Sequence, residues 1–319
     1  MKEMTSSNKL KDLYESDLKP QLEGMEKDRK EVKKWRNLAI TALVLAFLSY
    51  QLAQNNYYLI LVGLFIIAAI YLGIRFKAAN SSYKEKFKSQ IVQKIVAFIN
   101  PDYTYNPRGY VPATEYHSSG IFPPQADRYR GDDLVKGVIE KTPFSFSEIK
   151  SEEKRETTDD DGHKKTEWRT IFKGLFFVAE FNKHLTERTF VVPEKAHTNL
   201  LGKEKKGVSR YGKLVKLENP EFEKIFSVYG SSQQEARYIL TPVMMEAMSH
   251  VQQTYKLKMS FSFVGDKVYC AIPFSRDMFE PRIGKGVDYR DIEEMYMLFS
   301  LIETIVKEMN LNTRIWTKA

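Results

Sequence analysis

The sequence predicts an α+β cytosolic domain, with a mixed or antiparallel sheet and packed helices, attached to an N-terminal transmembrane helical hairpin. Two observations predict the hairpin. The apolar runs 38–53 and 57–74 are separated by only three residues, and no charged residue lies between Arg36 and Arg75. A third observation predicts the domain, because strand-like alternation and capped helical segments follow one another after residue 101.

Each apolar run is at or just under the length that crosses a hydrocarbon core of about 30 Å. Aromatic residues stand at the ends of the runs, where interfacial side chains are expected: Trp35, Tyr57, Tyr58 and Tyr71. The alternative is a hairpin buried in a soluble core, but core helices normally keep a polar stripe. A cleaved signal peptide is disfavoured, because the first run starts late and a second one follows it.

Basic residues flank both runs. They are Lys27, Arg29, Lys30, Lys33, Lys34 and Arg36 before the first run, and Arg75, Lys77, Lys84, Lys86 and Lys88 after the second. The connecting turn contains no lysine or arginine, so the positive-inside rule predicts that both termini are cytoplasmic. Basic residues beside anionic headgroups also explain the net charge of +8 without a nucleic-acid partner.

The charged segments 1–36 and 76–100 carry apolar residues at helical spacing on either side of the hairpin at 37–75. In the first segment these are Leu18, Leu22, Met25, Val32 and Trp35, and in the second Phe87, Ile91, Ile95 and Phe98. We expect two antiparallel amphipathic helices, of coiled-coil type, which pair with each other or with a second copy of the chain. A charged helix lying on the bilayer surface is the alternative. Pro20 predicts a break near the start.

Residues 101–319 form the predicted cytosolic domain. Its first part, 101–131, is an aromatic-rich and proline-rich connector, and acids in a first turn predict a short helix over 132–140. Alternation predicts strands at 144–149, 168–181 and 189–192. Residues 150–166 are expected to form the exposed turn of a long hairpin, and 194–214 a basic loop.

The second half of this domain carries clear start signals for helices. Three sequence signals each predict a helix N-terminus. They are Asn219-Pro220, the capping box from Ser232 to Glu235, and Thr241-Pro242. Residues 259–263 and 268–272 predict a β-hairpin that turns at Gly265. A stripe at three-four spacing predicts a closing helix over 288–309 that packs on the sheet.

Residues that would carry chemistry are sparse. The single cysteine, Cys270, excludes an internal disulfide and a thiolate metal cluster, and its apolar surroundings predict a buried side chain rather than a nucleophile. The five histidines are not at metal-binding spacing, and no hydrolase or nucleotide motif is found. Residues 282–286 contain glycines and a lysine but lack the strand–loop–helix context of a phosphate site. The sequence therefore predicts no catalytic, cofactor-binding or metal-binding residue.

Two polar clusters remain, at 127–133 and 233–237, and we expect each to pin a loop through hydrogen bonds. Six basic residues are candidate contacts for an anion or a partner, since a guanidinium or ammonium group suits phosphates and carboxylates. They are Arg128, Arg130, Arg237, Lys203, Lys205 and Lys206.

Several strings resemble the bacterial DUF3137 family of membrane proteins. They are residues 119–123, 127–134, 172–183, 215–240 and the closing 311–316. The loops 150–166 and 194–214 are the least family-like parts. The resemblance implies a bacterial inner-membrane protein with a cytosolic domain, and it implies no catalytic or binding residue, because the family has no assigned function.

Two functions are compatible with these observations. The first is a non-enzymatic, membrane-anchored interaction module that docks a protein partner, such as another envelope component, and can self-associate. The second is a binding protein or enzyme that acts on lipid headgroups or a phosphorylated ligand. A concave pocket lined by the candidate arginines would favour the second function, and a flat surface with an exposed apolar patch the first.

Overall fold

The computed structural model describes residues 2–52, 56–122, 126–158, 164–180, 183–194 and 211–309. The chain divides into two compact units. The first comprises Met1–Phe98 with Phe279–Tyr296, and the second comprises Ile99–Met278 with Met297–Ala319.

The first unit is helical. Its helices are α1 (Lys2–Leu13), α2 (Lys19–Gly24), α3 (Glu26–Gln51), α4 (Asn56–Phe87) and α5 (Gln93–Ile99), with π-helical turns at Tyr14–Leu18 and Lys88–Val92. Pro20 is the second residue of α2, and Leu18 before it keeps right-handed helical dihedrals, with φ −72° and ψ −41°. At Pro20 the chain therefore changes from a π-helical turn to an α-helix without leaving helical geometry, so the predicted break is not seen there.

Helices α3 and α4 pack against each other in antiparallel directions. The ammonium group of Lys86 lies 2.7 Å from the Asp28 carboxylate, and the Arg75 guanidinium lies 4.9 Å from the centre of the Trp35 ring. Apolar side chains from both predicted seams are buried: Leu18, Met25, Val32, Phe87, Ile91 and Ile95. The two amphipathic segments thus pair with each other, which was one of the two predicted arrangements.

One helical stretch among the described residues, Tyr57–Ile99, is long and apolar enough to cross a membrane, and no part of its most apolar window is buried. Helix α3 also exposes large apolar side chains, including Leu43, Phe47 and Leu48. A hairpin of two helices is therefore present, whereas its two passes through a bilayer stay a prediction.

The described residues of the second unit form a nine-stranded antiparallel sheet, in the order β1-β2-β3-β4-β9-β8-β5-β7-β6. The strands are β1 (Thr104–Asn106), β2 (Arg128–Ile139), β3 (Thr142–Thr158), β4 (Lys164–Glu180), β5 (Thr189–Pro193), β6 (Lys213–Val215), β7 (Phe226–Gly230), β8 (Ser260–Val264) and β9 (Lys267–Pro273). The α+β class is confirmed, with an antiparallel sheet.

One row of paired, buried side chains crosses eight of the nine strands. From β2 to β6 it consists of Val135, Phe146, Phe177, Cys270, Phe261, Val191, Val228 and Val215. Side chains that are paired across strands lie on the same face of the sheet, so this row forms the centre of the hydrophobic core on that face. Cys270 is one of its members, as the prediction of a buried thiol required, and burial raises the pKa of that thiol.

Helices and the connector supply the remaining core contacts of this unit. The helices are α6 (Ala113–Ser118), α7 (Pro220–Glu223), α8 (Gln233–Ile239), α9 (Pro242–Tyr255) and α10 (Tyr289–Glu308), the last of which runs from the first unit into the second. The ring of Phe299 on α10 lies 5.6 Å from that of Phe146, so the predicted helix packs on the sheet. On the other face Val111, Tyr116 and Ile121 of the connector join a cluster with Phe176 and Tyr269.

The three predicted helix starts are confirmed by side-chain caps. Asn219 accepts from the N–H of Phe222, Ser232 from that of Glu235, and Thr241 from that of Met244. Each cap satisfies an N–H group that would otherwise have no partner in the first turn.

The predicted helix over 132–140 is wrong, because residues 132–139 lie in β2 and residue 140 begins the following turn. Cβ atoms built at Gly131 and Gly137 would lie 2.3 Å from the Glu148 carbonyl oxygen and 2.4 Å from the Tyr103 ring, so the neighbouring chain segments approach closely here. Pairing with β1 and β3 thus outweighs a weak local preference for helix.

Residues 150–158 and 164–166, expected in an exposed turn, mostly extend β3 and β4. The end of the turn, the acidic 159–163, lies outside the described residues, as does 195–210 of the basic loop.

Candidate functional site

Three acidic side chains meet in the interior of the β2–β3 pair. Asp132 and Glu148 are partners across the two strands, and Asp133 lies in the bulge between Asp132 and Val135. Carboxylate oxygens of Asp132, Asp133 and Glu148 all lie within 4.8 Å of one another. Asp133 has a φ of 59°, a left-handed conformation that aspartate tolerates better than most residues and that lets two consecutive acids approach the same partner.

Hydrogen bonds hold this acid cluster in place. The Tyr105 hydroxyl donates to Asp133 Oδ1 at 2.5 Å, and the backbone N–H of Met278 donates to Glu148 Oε1 at 2.6 Å. Asp133 is fully buried and Glu148 is 8% exposed. Asp133 and Glu148 therefore each have at least one donor that reduces the cost of burial.

The cluster binds a proton at neutral pH. Burial, reinforced by the nearby charge of Asp133, raises the pKa of Glu148 to about 8, although the Met278 N–H opposes the shift. Glu148 is accordingly protonated at pH 7 and relieves repulsion among the three acids. Burial and the Asp133 charge also raise the pKa of Tyr105, which keeps its hydroxyl as a donor.

Carboxylate oxygens are the ligands that Mg²⁺ and Ca²⁺ prefer, so Asp132, Asp133 and Glu148 are the described residues that could hold such an ion. The hydrogen bonds and the proton on Glu148 account for the grouping without one. Sequence reasoning did not link these acids, because it assigned residues 132–140 to a helix. If residues 132–140 had been assigned to a strand, its pairing with the next strand would have placed Asp132 opposite Glu148. A strand assignment for 132–140 is therefore the signal that could have linked these acids.

The three candidate arginines, which are among the described residues, do not converge on one site. The Arg128 guanidinium lies 3.4 Å from the centre of the Trp168 ring, and Arg130 lies 3.8 Å from the Glu152 carboxylate. Arg237 donates to the carbonyl of Lys216, which follows β6 at the opposite edge of the sheet from β1 and β2. Lys203, Lys205 and Lys206 lie outside the described residues.

The two polar clusters pin neighbouring segments, as predicted. Asp127 accepts from the N–H of Lys154 at 2.6 Å. The Glu235 carboxylate accepts from the N–H groups of Thr186 and Glu187, at 2.8 and 2.7 Å, and so holds the segment before β5.

Residues 282–286 are also structural. Their carbonyl oxygens at Ile283 and Gly284 accept from Arg29, and Lys285 pairs with Asp288. A phosphate site would need N–H groups that converge on an anion. The observed contacts instead attach this loop to α3.

A cavity of about 200 Å³ lies beside β6 and β7 and is lined by Glu194, Lys216, Glu223, Phe226 and neighbouring residues. Glu194 accepts a short hydrogen bond from the Ser227 hydroxyl. One of the two acidic side chains that line the cavity therefore already has a hydrogen-bond partner. None of Arg128, Arg130 and Arg237 lines this cavity.

Comparisons with known proteins bear on the family and the fold. No curated protein shows a significant match to the chain. Among solved structures, the mycobacterial trehalose monomycolate transport factor A, TtfA, aligns over 68% of this chain and 92% of its own, with 7% sequence identity and a TM-score of 0.37. A likeness at that level supports no statement about function. The family model described as protein of unknown function, DUF3137, matches residues 170–311, and over this part of the chain the resemblance predicted from the sequence is confirmed.

Proposed function

We propose that the chain is a membrane-anchored cytosolic module that docks a protein partner at the inner membrane. The observation that carries the proposal is the α3–α4 hairpin, whose apolar side chains face outward along both helices: Leu43, Phe47, Leu59, Ile60, Ile67 and Ile70 are more than half exposed. A water-soluble protein rarely exposes a continuous apolar surface of this extent, whereas a bilayer covers it.

The basic flanks of the hairpin support an orientation with both termini in the cytoplasm. On this topology the whole nine-stranded sheet lies on the cytosolic side. The carboxylates that α3 and α4 expose lie before residue 36 and after residue 75, outside the apolar runs, as the proposal requires.

The β3–β4 ribbon supports docking of a protein. Pairing of β2 to β3 ends at Glu152, and pairing of β9 to β4 begins at Gly174. Within the described residues, 153–158 therefore pair only with β4, and this two-stranded ribbon extends about 20 Å at roughly 3.3 Å per residue. The side chains of residues 154–157 on β3 and 165–170 on β4 are exposed.

Charges on the ribbon are paired locally. Glu153 lies 2.7 Å from Arg155 and 3.7 Å from Arg169, while Lys154 lies 2.6 Å from Glu156. Alternating charges protect an open strand edge from indiscriminate pairing. They also suit a partner of complementary charge pattern, because such pairs set specificity more than affinity.

The anchor is tested by labelling a cysteine in the turn. Asn55→Cys in a Cys270→Ala background should react with an impermeant thiol reagent from the outer face. Glu167→Cys, on the exposed ribbon, is the matched control and should react only from the cytosolic side. Labelling of position 55 only from the cytosolic side would contradict the two-pass topology.

Docking is tested in cells with a photoreactive amino acid on the ribbon. Substitution at Glu167 should give a discrete crosslink to another membrane or envelope protein, and substitution at the exposed Glu246 of α9 should not. A crosslink between two copies of the chain would assign the ribbon to self-association instead. Absence of a crosslink at both positions would remove the ribbon as the docking element.

The alternative is a binding protein or enzyme that acts on lipid headgroups or a phosphorylated ligand through the cytosolic domain. The separation of Arg237 from Arg128 and Arg130 disfavours it. Its remaining support is the lysine-rich segment around Lys203. In proteoliposomes, tryptic cleavage after Lys203, Lys205 and Lys206 should be slower on anionic than on neutral lipid, and only at low salt, if this segment binds the surface.

A further inference from the structure

We propose that the cytosolic base of the α3–α4 hairpin binds the headgroup of a zwitterionic phospholipid that carries a primary amine, of the phosphoethanolamine type. The inference rests on the membrane anchoring proposed above and goes beyond it by assigning a site and a ligand class. Its basis is a cavity of about 270 Å³ between the two helices. The side chains that matter line this cavity: Asp28, Glu31 and Trp35 from α3, and Ile74, Arg75 and Ser82 from α4.

The cavity lies at the level where the apolar surface ends. Ile74 is the last residue of the second apolar run, and Arg75 is the first charge after it. Trp35 stands beside Arg75, with 4.9 Å between the guanidinium and the ring centre. Tryptophan and arginine are the side chains expected at the headgroup level of a bilayer. The cavity therefore lies at the depth of the lipid headgroups.

Charges in the cavity follow a definite order along the helices. Arg75 adjoins the apolar run, while Glu31 and Asp28 lie four and seven residues from Trp35 on the side away from the membrane. At 1.5 Å per residue these offsets are about 6 and 10 Å. The positive group therefore faces the membrane and the carboxylates face the cytosol.

A phospholipid presents the complementary order. Its phosphate follows the glycerol next to the acyl chains, and its terminal group lies farther out. The Arg75 guanidinium can donate two parallel hydrogen bonds to the phosphate oxygens. A terminal ammonium then reaches the level of Glu31 and Asp28, whose oxygens accept its three N–H donors.

Two contacts fix the carboxylates before any lipid binds. The indole N–H of Trp35 donates to Glu31 Oε1 at 3.1 Å, and the Lys86 ammonium lies 2.7 Å from Asp28 Oδ2. Lys86 compensates the charge of Asp28, whereas Glu31 accepts from a neutral indole and keeps its charge, so Glu31 disfavours headgroups with a net negative charge and no amine. A quaternary ammonium lacks N–H donors for the two carboxylates, and the ring that would attract it is already engaged by Arg75. A primary amine is the terminal group that fits both sets of partners.

The test uses the full chain in mild detergent, with native mass spectrometry of added phosphatidylethanolamine, phosphatidylcholine and phosphatidylglycerol of matched acyl chains. We expect binding of phosphatidylethanolamine to exceed that of the other two about tenfold, a difference of about 1.4 kcal/mol. Arg75→Gln should weaken it about tenfold, and Glu31→Gln should abolish the preference over phosphatidylcholine. Lys77→Gln and Glu23→Gln, exposed and outside the cavity, are the matched controls and should bind as the parent does.

Equal binding of the three lipids, or equal loss in the control variants, would overturn the inference. Circular dichroism of each variant shows whether its helices are retained, so that unfolding is not mistaken for a lost site. Soluble glycerophosphoethanolamine should not displace the bound lipid, and displacement at comparable concentration would assign the cavity to a free metabolite. Flotation with vesicles separates the two proposals. A chain that does not float contradicts the anchor, and one that floats without lipid preference contradicts only this inference.

Discussion

Arg29 on α3 donates to the carbonyl oxygen of Ile283, at 2.9 Å, across 254 residues of sequence. The same guanidinium donates to the carbonyl of Gly284 and to the Glu26 carboxylate. Its planar array of donors satisfies all three acceptors at once, which the single ammonium group of a lysine does not reproduce. This contact attaches a distant loop to the N-terminal helices within the first unit.

We expect Arg29→Met to release the loop at 282–286. Loss of these charge-assisted bonds should cost about 1–3 kcal/mol. Limited proteolysis should show it directly, since trypsin cleaves after Arg282 and Lys285. The matched control is Lys30→Met, because the Lys30 side chain is 71% exposed. Cleavage at the parent rate in the Arg29 variant would show that the loop is held by other contacts.

Protonation of Glu148 makes the stability of the protein depend on pH. Its pKa rises from 4.5 to about 8 on folding, so the folded state binds this proton more tightly than the unfolded state does. The contribution is fully present below the unfolded value and is lost as pH rises through about 8, with a slope of roughly 1.4 kcal/mol per pH unit between the two values.

Glu148→Gln keeps an acceptor for the Met278 N–H but removes the charge. The melting temperature of this variant should fall less than that of the parent between pH 6 and about 9. Glu167→Gln, on the exposed ribbon, should keep the slope of the parent. A parent whose melting temperature rises across this interval would contradict the buried, protonated state of Glu148.

Ile302 tests the packing of α10 on the sheet. Its side chain is 1% exposed, and the neighbouring Phe299 contacts Phe146. Ile302→Ala leaves a cavity and should lower the free energy of unfolding by about 2–5 kcal/mol. Met297→Ala on the same helix is the control, since Met297 is 47% exposed and little should change. Equal melting temperatures for the two variants would mean that the stripe does not face the core.

Gly174 tests the pairing of β4 with β9. A Cβ atom at this position would lie 2.0 Å from the carbonyl oxygen of Ile272 and 2.8 Å from Cα of Pro273. Both are backbone atoms, so they move only if the strands separate. Gly174→Ala should therefore destabilise the protein by roughly 2–3 kcal/mol. Gly284→Ala meets no atom within 4 Å and should be tolerated. The measurement is the thermal unfolding of the Gly174→Ala and Gly284→Ala variants, both in the same mild detergent.

The candidate site shows where sequence reasoning stopped. Asp132 and Asp133 were recognised as a polar cluster, and a structural role for that cluster was predicted. The contact of Asp132 and Asp133 with Glu148 was not predicted. Over so few residues, the sequence pattern of a short helix cannot be distinguished from that of a strand that contains two glycines. Other segments of the same chain approach Gly131 and Gly137 closely, and this favours the strand over the helix. These contacts exist only once the sheet has formed.

Local patterns determined much of this protein without the structure. Uncharged runs, helix caps at Asn219, Ser232 and Thr241, and the stripe of α10 each follow from a few neighbouring residues, because capping and amphipathic burial are short-range effects. The tertiary structure alone decided the order of the nine strands, the row of side chains from Val135 to Val215, the Arg29–Ile283 contact and the acid cluster. These depend on contacts between residues far apart in sequence, whose partners no local pattern specifies. Such contacts stabilise the protein only once the folded chain has brought the two partners together.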